Sequence, residues 1–218
     1  EMDFQDNRCN PAEAVKSVTK MISDKKYVAI FDGLCSSVAL AIMPLVERAE
    51  IPFVVANASA TSISEKSGVG GNKWTFKVNP TDGSLLNALV VWLDKNGSAK
   101  NIAFLGEDTD FGRAGVEGFE SALKKFNLKL SSVDLYQKGT ADFTTVLAKI
   151  KSKKPAKLAL YAIDADFQNI MRQWYSAGGG VPLTGRFLVD QVTKEILNSG
   201  FLDGTTSVQN YDTAIDTP

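Results

Sequence analysis

The hydrophobic and polar positions between residues 27 and 46 predict a buried strand that turns directly into a helix. Residues 27–31 are apolar or aromatic, and Asp32 and Gly33 interrupt the run. From Ser36 onward, apolar residues recur at helical spacing as far as Val46. A strand that turns through glycine into a helix places backbone N–H groups at the carboxyl edge of a sheet. Open α/β folds bind anions and small ligands at such edges.

The same alternation of strand and helix continues along the chain. Asn10 and Pro11 indicate the start of a first helix, as its N-cap and first helical residue. Apolar patterns predict further strands near residues 52–56, 74–78, 101–105, 130–135, 158–163, 186–189 and 206–211, with helical patterns between most of them. The segment 74–78 alternates apolar and polar residues, as a half-exposed strand does. We therefore predict an α/β fold with mostly parallel sheets and right-handed crossovers.

The pattern restarts in the middle of the chain, which predicts two Rossmann-like α/β lobes. A turn at residues 79–82 precedes a long helix, and a new strand begins at Asn101. We place lobe one at residues 1–80 and lobe two at residues 81–211.

Hydroxyl-bearing residues follow two of the predicted strands. Ser36 and Ser37 follow the first strand, and Ser59, Ala60 and Thr61 follow the strand at 52–56. Each hydroxyl could simply cap its helix, which is what most such residues do. Two helix N-termini that each carry a hydroxyl can also share one carboxylate without a nearby cation.

The composition is that of an ordinary globular protein. The chain has 218 residues, of which 44% are hydrophobic and 22% charged, and its formal net charge is −1. This balance gives no reason to expect nucleic acid or an anionic membrane as a partner. No apolar run approaches the roughly 20 residues of a membrane-spanning helix. Because the chain begins with Glu1 rather than methionine, we expect a mature, processed or excised piece.

Several classes of enzyme are excluded by the residue types. The chain has no histidine, which removes Ser-His-Asp triads, Cys-His dyads and histidine-ligated zinc. The sequence also has no GxSxG elbow, Walker-type glycine loop or GxGxxG fingerprint. We therefore expect no enzymatic activity, no metal and no other cofactor.

Cys9 and Cys35 are the two cysteines of the chain. They could be two unrelated thiols, or they could form a disulfide, which would place the chain outside the reducing cytosol. Both precede predicted helices at the same edge of a parallel sheet, so a bridge is geometrically reasonable. The residues alone leave both alternatives open.

The order of short motifs resembles a known family. The chain has Cys-x-Pro before a helix, then G-x-C-S after a strand, A-x-x-x-x-P, I-P, S-A-T after a strand, D-x-x-F-G at the start of a lobe-two helix, and Asp142-Phe143. This series is similar to type I periplasmic solute-binding proteins of the leucine/isoleucine/valine-binding group, which supply ABC importers. The resemblance covers nearly all of the chain and implies two lobes that close around a ligand by a hinge motion.

The resemblance also implies roles for particular residues. It makes Cys9–Cys35 a disulfide and places the ligand carboxylate on Ser36, beside Ser37. Ligand contacts are then expected from Ser59, Ala60, Thr61, Phe111, Asp164 and Asp190. Asp190 would pair with an α-ammonium group, whereas Asp164 stands where branched-chain binders often have an aromatic residue. The residues alone predict that Asp190 is a loop acid or a helix cap and that Asp164 is a surface acid.

The implied function is that of an extracytoplasmic, secreted binding protein. It would be a monomer that captures an amino acid or similar small carboxylate between its lobes and delivers it to an ABC permease. The alternative is the ligand-sensing domain of a membrane receptor with the same fold. The family's first strand and helix are missing here, and residues 212–218 would begin the crossover back to lobe one, so we expect a fragment.

Overall fold

A computed structural model describes residues 2–32, 34–187 and 192–210. The chain forms two compact units, Glu1–Thr81 and Asp82–Pro218. The predicted α/β class is confirmed, because every strand pairing within the two sheets is parallel.

The first unit has a three-stranded sheet in the order β1-β2-β3. Its elements are α1 (Pro11–Asp24), β1 (Ile30–Asp32), α2 (Ser36–Ala49), β2 (Phe53–Val55), α3 (Thr61–Glu65) and β3 (Thr75–Lys77). The predicted helix start at Asn10 is confirmed, since its side chain accepts the N–H groups of Ala12 and Glu13 at 2.9 and 3.3 Å. Helix α1 packs against α2.

A disulfide joins Cys9 to Cys35, as the family resemblance implies. The two Cα atoms are 5.5 Å apart, and 26 positions separate the cysteines in sequence. Cys9 lies just before α1, and Cys35 is the N-cap of α2. The bridge therefore ties together the starts of two packed helices.

The second unit has a four-stranded sheet in the order β5-β4-β6-β7. Its elements are α4 (Asp82–Lys95), β4 (Ile102–Glu107), α5 (Asp110–Lys124), β5 (Ser132–Tyr136), α6 (Thr144–Ser152), β6 (Lys157–Tyr161), α7 (Asp164–Ser176), β7 (Leu183–Arg186) and α8 (Lys194–Leu197). Central strands β4 and β6 are buried along their whole length. Both faces of this sheet are covered, as is usual for parallel sheets.

Two apolar cores cover the opposite faces of the second sheet. One core contains Leu105, Leu160 and Trp174, and the other contains Phe104, Phe119 and Tyr161. Alternate residues of β4 and β6 therefore enter different cores, as the two-residue repeat of a strand requires. The strand order also reverses at β4, and in open α/β sheets such a reversal leaves a crevice at the carboxyl edge.

Three predicted strands differ from the observed ones. The strand predicted at residues 186–189 lies earlier in the chain, as β7 (Leu183–Arg186). The first strand is Ile30–Asp32 rather than residues 27–31, and Val28 and Phe31 are exposed. No strand is assigned within residues 206–210. Instead, the N–H groups of Thr206 and Val208 donate to carbonyl oxygens of β7 at 3.0 Å. This short segment therefore lies along β7 with only two of the bonds that a strand ladder would have.

Candidate carboxylate-binding site and the carboxyl edge of the second unit

The starts of α2 and α3 come together in the first unit. Strands β1 and β2 are adjacent and parallel, so their carboxyl ends lie at the same edge. Ser36, the first residue of α2, is 2% exposed, and its Oγ accepts the N–H of Ala60 at 3.2 Å. Ser59 is also buried, whereas Ser37 and Thr61 are half-buried. The structure thus places the two predicted hydroxyl-bearing segments side by side.

Neither helix start is capped by its own N-cap side chain. Cys35 precedes α2 and Ala60 precedes α3, and neither makes a side-chain cap hydrogen bond. Helices normally need partners for the N–H groups of their first turn. The sulfur of Cys35 is in the disulfide and Ala60 has no polar side chain, so a bound anion is a suitable partner for the 14-residue helix α2.

Phe111 lies at the carboxyl edge of the second unit, at the start of α5. It is 9% exposed and belongs to the core that contains Phe119. Its ring centroid lies 4.8 Å from that of Tyr161 and 5.8 Å from the guanidinium carbon of Arg186. The ring is therefore held firmly by the second unit, and its predicted contact with a ligand stays a prediction.

A buried ion pair lies beside Phe111. Asp82 is fully buried, and its Oδ1 accepts Arg186 at 3.0 Å and the hydroxyl of Tyr161 at 3.3 Å. Burial raises the pKa of Tyr161 well above its ordinary value, so this phenol is a neutral donor. The sequence analysis missed the pair because its members are 104 positions apart. The one local signal of a buried charge is the arginine at the end of the buried strand β7.

Asp164 is the first residue of α7 and is exposed to solvent. Its φ of 53° lies in the left-handed region, which is uncommon for residues other than glycine, asparagine and aspartate. Asp190 lies outside the described residues. The predicted contacts of both acids with a ligand stay predictions.

A second buried acid was also missed. Glu107 is the last residue of β4, and Thr109 donates to its Oε1 at 2.7 Å. Burial is the main cause that raises the pKa of the Glu107 carboxyl, with a smaller opposing effect from the Thr109 hydrogen bond. Its position at the end of a buried strand, after four apolar residues and Gly106, was the available signal.

Within the described residues, no group of three or more histidine, cysteine, aspartate or glutamate side chains could hold a metal ion. No helix of that part of the chain is long and apolar enough to cross a membrane.

The family of the chain is decided by a match over its entire length. The model of a family described as periplasmic binding protein matches residues 1–218. The chain belongs to this family. The predicted resemblance to type I periplasmic binding proteins of the branched-chain amino acid group is confirmed.

Curated relatives of the chain are named as amino-acid-binding proteins. An "Amino acid binding protein" of Pseudomonas aeruginosa is 21% identical over 193 residues, which cover 88% of this chain and 50% of the relative. A "Leu/Ile/Val-binding protein" of Escherichia coli strain K12 is 22% identical over 210 residues, which cover 95% of this chain and 56% of the relative. The chain therefore spans about half the length of the curated relatives that it matches.

Solved structures share the fold. An ABC transporter solute-binding protein from R. palustris, in complex with benzoate, has a TM-score of 0.83 and 21% identity over 98% of this chain and 58% of that one. A leucine-binding protein from Thermotoga maritima has a TM-score of 0.76 and 21% identity over 85% of this chain and 51% of that one. At this identity the likeness establishes the fold and leaves the ligand open.

Proposed function

We propose that this chain is the ligand-binding part of an extracytoplasmic solute-binding protein. It captures an amino acid or a similar small carboxylate in the cleft expected between its two lobes and delivers it, as a monomer, to an ABC permease. It catalyses no reaction and needs no cofactor. A ligand-sensing domain of a receptor would use the same capture step, so the experiment below tests what both roles share.

The hydrogen bond from the Ala60 N–H to Ser36 Oγ is the observation that carries this proposal. A serine hydroxyl has one proton to donate and can accept as well. Because Ser36 Oγ already accepts Ala60, its own proton remains to be donated to a carboxylate oxygen. The N–H groups at the start of α2 supply further neutral donors. Such a site attracts a carboxylate through hydrogen bonds and the helix dipole, which suits a protein that must release its ligand.

The named ligands of similar proteins support the same chemistry. Leucine, isoleucine and valine in the curated relatives and benzoate in the R. palustris structure all carry a carboxylate, but benzoate has no ammonium group. Binding of the carboxylate is therefore the shared step. The predicted contact of Asp190 with an ammonium group would decide between the two classes.

Thermal unfolding with and without candidate ligands tests the proposal. The probes are leucine, valine, benzoate and 4-hydroxybenzoate. A ligand present at a hundred times its dissociation constant should stabilise the folded protein by about 2.7 kcal/mol. We expect Ser36→Ala to weaken binding of the active probe at least tenfold. Ser23→Ala is the control, since Ser23 is exposed at the end of α1 and donates to the Thr19 carbonyl.

Two outcomes would count against the proposal. Equal affinity of the wild type and the Ser36→Ala variant would remove the carboxylate role of α2. If none of the four probes shifts the unfolding temperature, this chain does not bind these carboxylates. If Asp190 pairs with the ammonium group, Asp190→Ala should weaken the binding of leucine at least tenfold and leave the affinity for benzoate unchanged.

A further inference from the structure

Glu107 has one carboxyl oxygen that lacks a hydrogen-bond partner among the described residues. The residue is 3% exposed, and Oε1 accepts the Thr109 hydroxyl. Oε2 is buried and accepts no hydrogen bond from the part of the chain that the structure describes. Folding removes this oxygen from water and gives it no hydrogen-bond donor in return. Burial of the ionised carboxylate therefore costs free energy of folding.

The neighbouring strand β5 adds a second buried polar atom that no described residue hydrogen-bonds. Tyr136 lies directly opposite Glu107 in the β4–β5 register. Its hydroxyl is buried and makes no hydrogen bond with any described residue. Burial, followed by the charge of Glu107, raises the pKa of Tyr136, so the phenol stays neutral. Glu107 and Tyr136 therefore lie on the same face of the sheet, but the phenol and the unsatisfied carboxyl oxygen make no hydrogen bond with each other.

Three charged groups act on Glu107, and acids outnumber bases. They are Lys138 in the loop after β5 and Asp166 and Asp164 on α7, and Asp108 is the next residue in the chain. Asp108 is compensated, because Arg113 contacts its carboxylate at 2.7 Å. Asp166 is buried and accepts the N–H of Gly139 at 3.0 and 3.2 Å, so its carboxylate is committed to the loop.

We propose that Glu107 is a buried proton-binding group, and that loss of its proton as the pH rises destabilises the carboxyl edge where α5 and α7 begin. The protonated acid leaves no charge on the enclosed Oε2, and it does not repel the nearby Asp166. The ionised acid places charge on an enclosed oxygen that no described residue stabilises, and it is repelled by Asp166. Because α5 carries Phe111 and α7 carries Asp164, the proton controls the edge at which we expect the second unit to contact ligand.

The direction of the pH effect follows from burial. The pKa of Glu107 is raised in the folded protein above 4.5, its ordinary value, mainly by desolvation. Below the ordinary value both the folded and the unfolded states hold the proton, and the group costs nothing. As the pH rises through the window between the ordinary and the raised pKa, the unfolded state releases its proton first. Stability is therefore lost across this window and the loss is constant above it.

Glu107→Gln tests the proposal because glutamine keeps the shape of the protonated acid at every pH. We expect the unfolding temperature of this variant, minus that of the wild type, to increase from pH 4.5 to pH 8. Glu117→Gln is the matched control, since Glu117 is exposed on α5 and the chemical change is the same. Its difference from the wild type should stay small and show no such rise. A Glu107→Gln difference that does not change with pH would overturn the proposal.

A measurement on the wild type keeps the test independent of the variant's folding. The amide of Gly139 donates to Asp166, so its NMR shift should report a new charge on Glu107. We expect a titration step in this amide above the ordinary pKa of glutamate. No step between pH 4.5 and pH 8 would mean that Glu107 does not change its charge there, which also overturns the proposal.

Discussion

The disulfide between Cys9 and Cys35 should supply a large share of the stability of the first unit. The sheet of this unit has three strands of three residues each, which is a small scaffold for a unit of this length. Small scaffolds commonly depend on cross-links because they bury little apolar surface. The bridge joins Cys9, just before the N-cap of α1, to Cys35, the N-cap of α2. It therefore links two packed helices at their N-terminal ends.

The expected magnitude follows from the length of the loop that the bridge closes. Because Cys9 and Cys35 are 26 positions apart, the chain-entropy model gives an entropy loss of about 12 cal/mol/K in the unfolded state. At 25 °C this corresponds to about 3.5 kcal/mol of stabilisation. Replacing both cysteines by alanine should therefore lower the free energy of unfolding of the first unit by roughly that amount.

Denaturant unfolding of three samples measures this effect. The samples are the oxidised wild type, the same protein after reduction, and the Cys9→Ala/Cys35→Ala variant. The reduced wild type separates the cross-link from the loss of the two sulfur atoms. In the reduced wild type and in the double-alanine variant, we expect the first unit to unfold at a lower denaturant concentration. The transition of the second unit should not move. Equal free energies of unfolding for the oxidised and reduced proteins would refute the entropic argument.

Two further substitutions test the packing of the second unit. Arg186→Met leaves Asp82 buried without its cation and should cost about 3–5 kcal/mol of unfolding free energy. Lys26→Met removes an exposed pair and should cost less than about 1 kcal/mol, so similar losses in denaturant unfolding would contradict the role of burial. Gly112→Ala would place a Cβ 1.9 Å from the Glu107 carbonyl oxygen, and we expect it to lower the thermal unfolding temperature by several degrees. Ser121→Ala on the exposed face of α5 is the control and should leave that temperature unchanged. An equally small effect of Gly112→Ala would contradict the close packing of Gly112 against the Glu107 carbonyl.

The repeating strand–helix pattern was enough to predict the class of fold and the segment near Ser36. Apolar periodicity is local, and each strand-to-helix turn carries its own glycine or hydroxyl signal, so the turns could be found one by one. The contact between Ser36 and Ala60 was within reach as well. It requires only that two consecutive parallel strands be neighbours, which is the commonest arrangement.

Which face of a strand is buried in the first unit could not be predicted in the same way. Alternation at residues 74–78 found β3, but Thr75 is buried while Phe76 is half exposed. The register with β2 explains this, because Phe76 lies opposite Val54 and Thr75 lies opposite the buried Phe53. A shift of one residue exchanges the two faces of a strand, and that choice is made by neighbouring strands rather than by the local pattern.

The buried charges of the second unit were missed for a related reason. The Asp82–Arg186 pair joins the first helix of the unit to the last strand of its sheet, and nothing near either residue in sequence identifies its partner. Glu107 was passed over because an acid after a strand is usually a turn residue. Only the three-dimensional packing shows that Oε2 is enclosed.

The carboxyl edges of the two units therefore offer a ligand different chemistry. In the first unit, Ser36 and the start of α2 present neutral donors, which select for an acid. At the edge of the second unit, the buried cation Arg186 is already matched by Asp82, and Asp164 at the start of α7 is an exposed acid. A ligand that binds at the edge of the first unit should then carry a carboxylate. By this argument benzoate should bind more tightly than benzamide, which has the same ring but no carboxylate, and direct comparison of their affinities decides it.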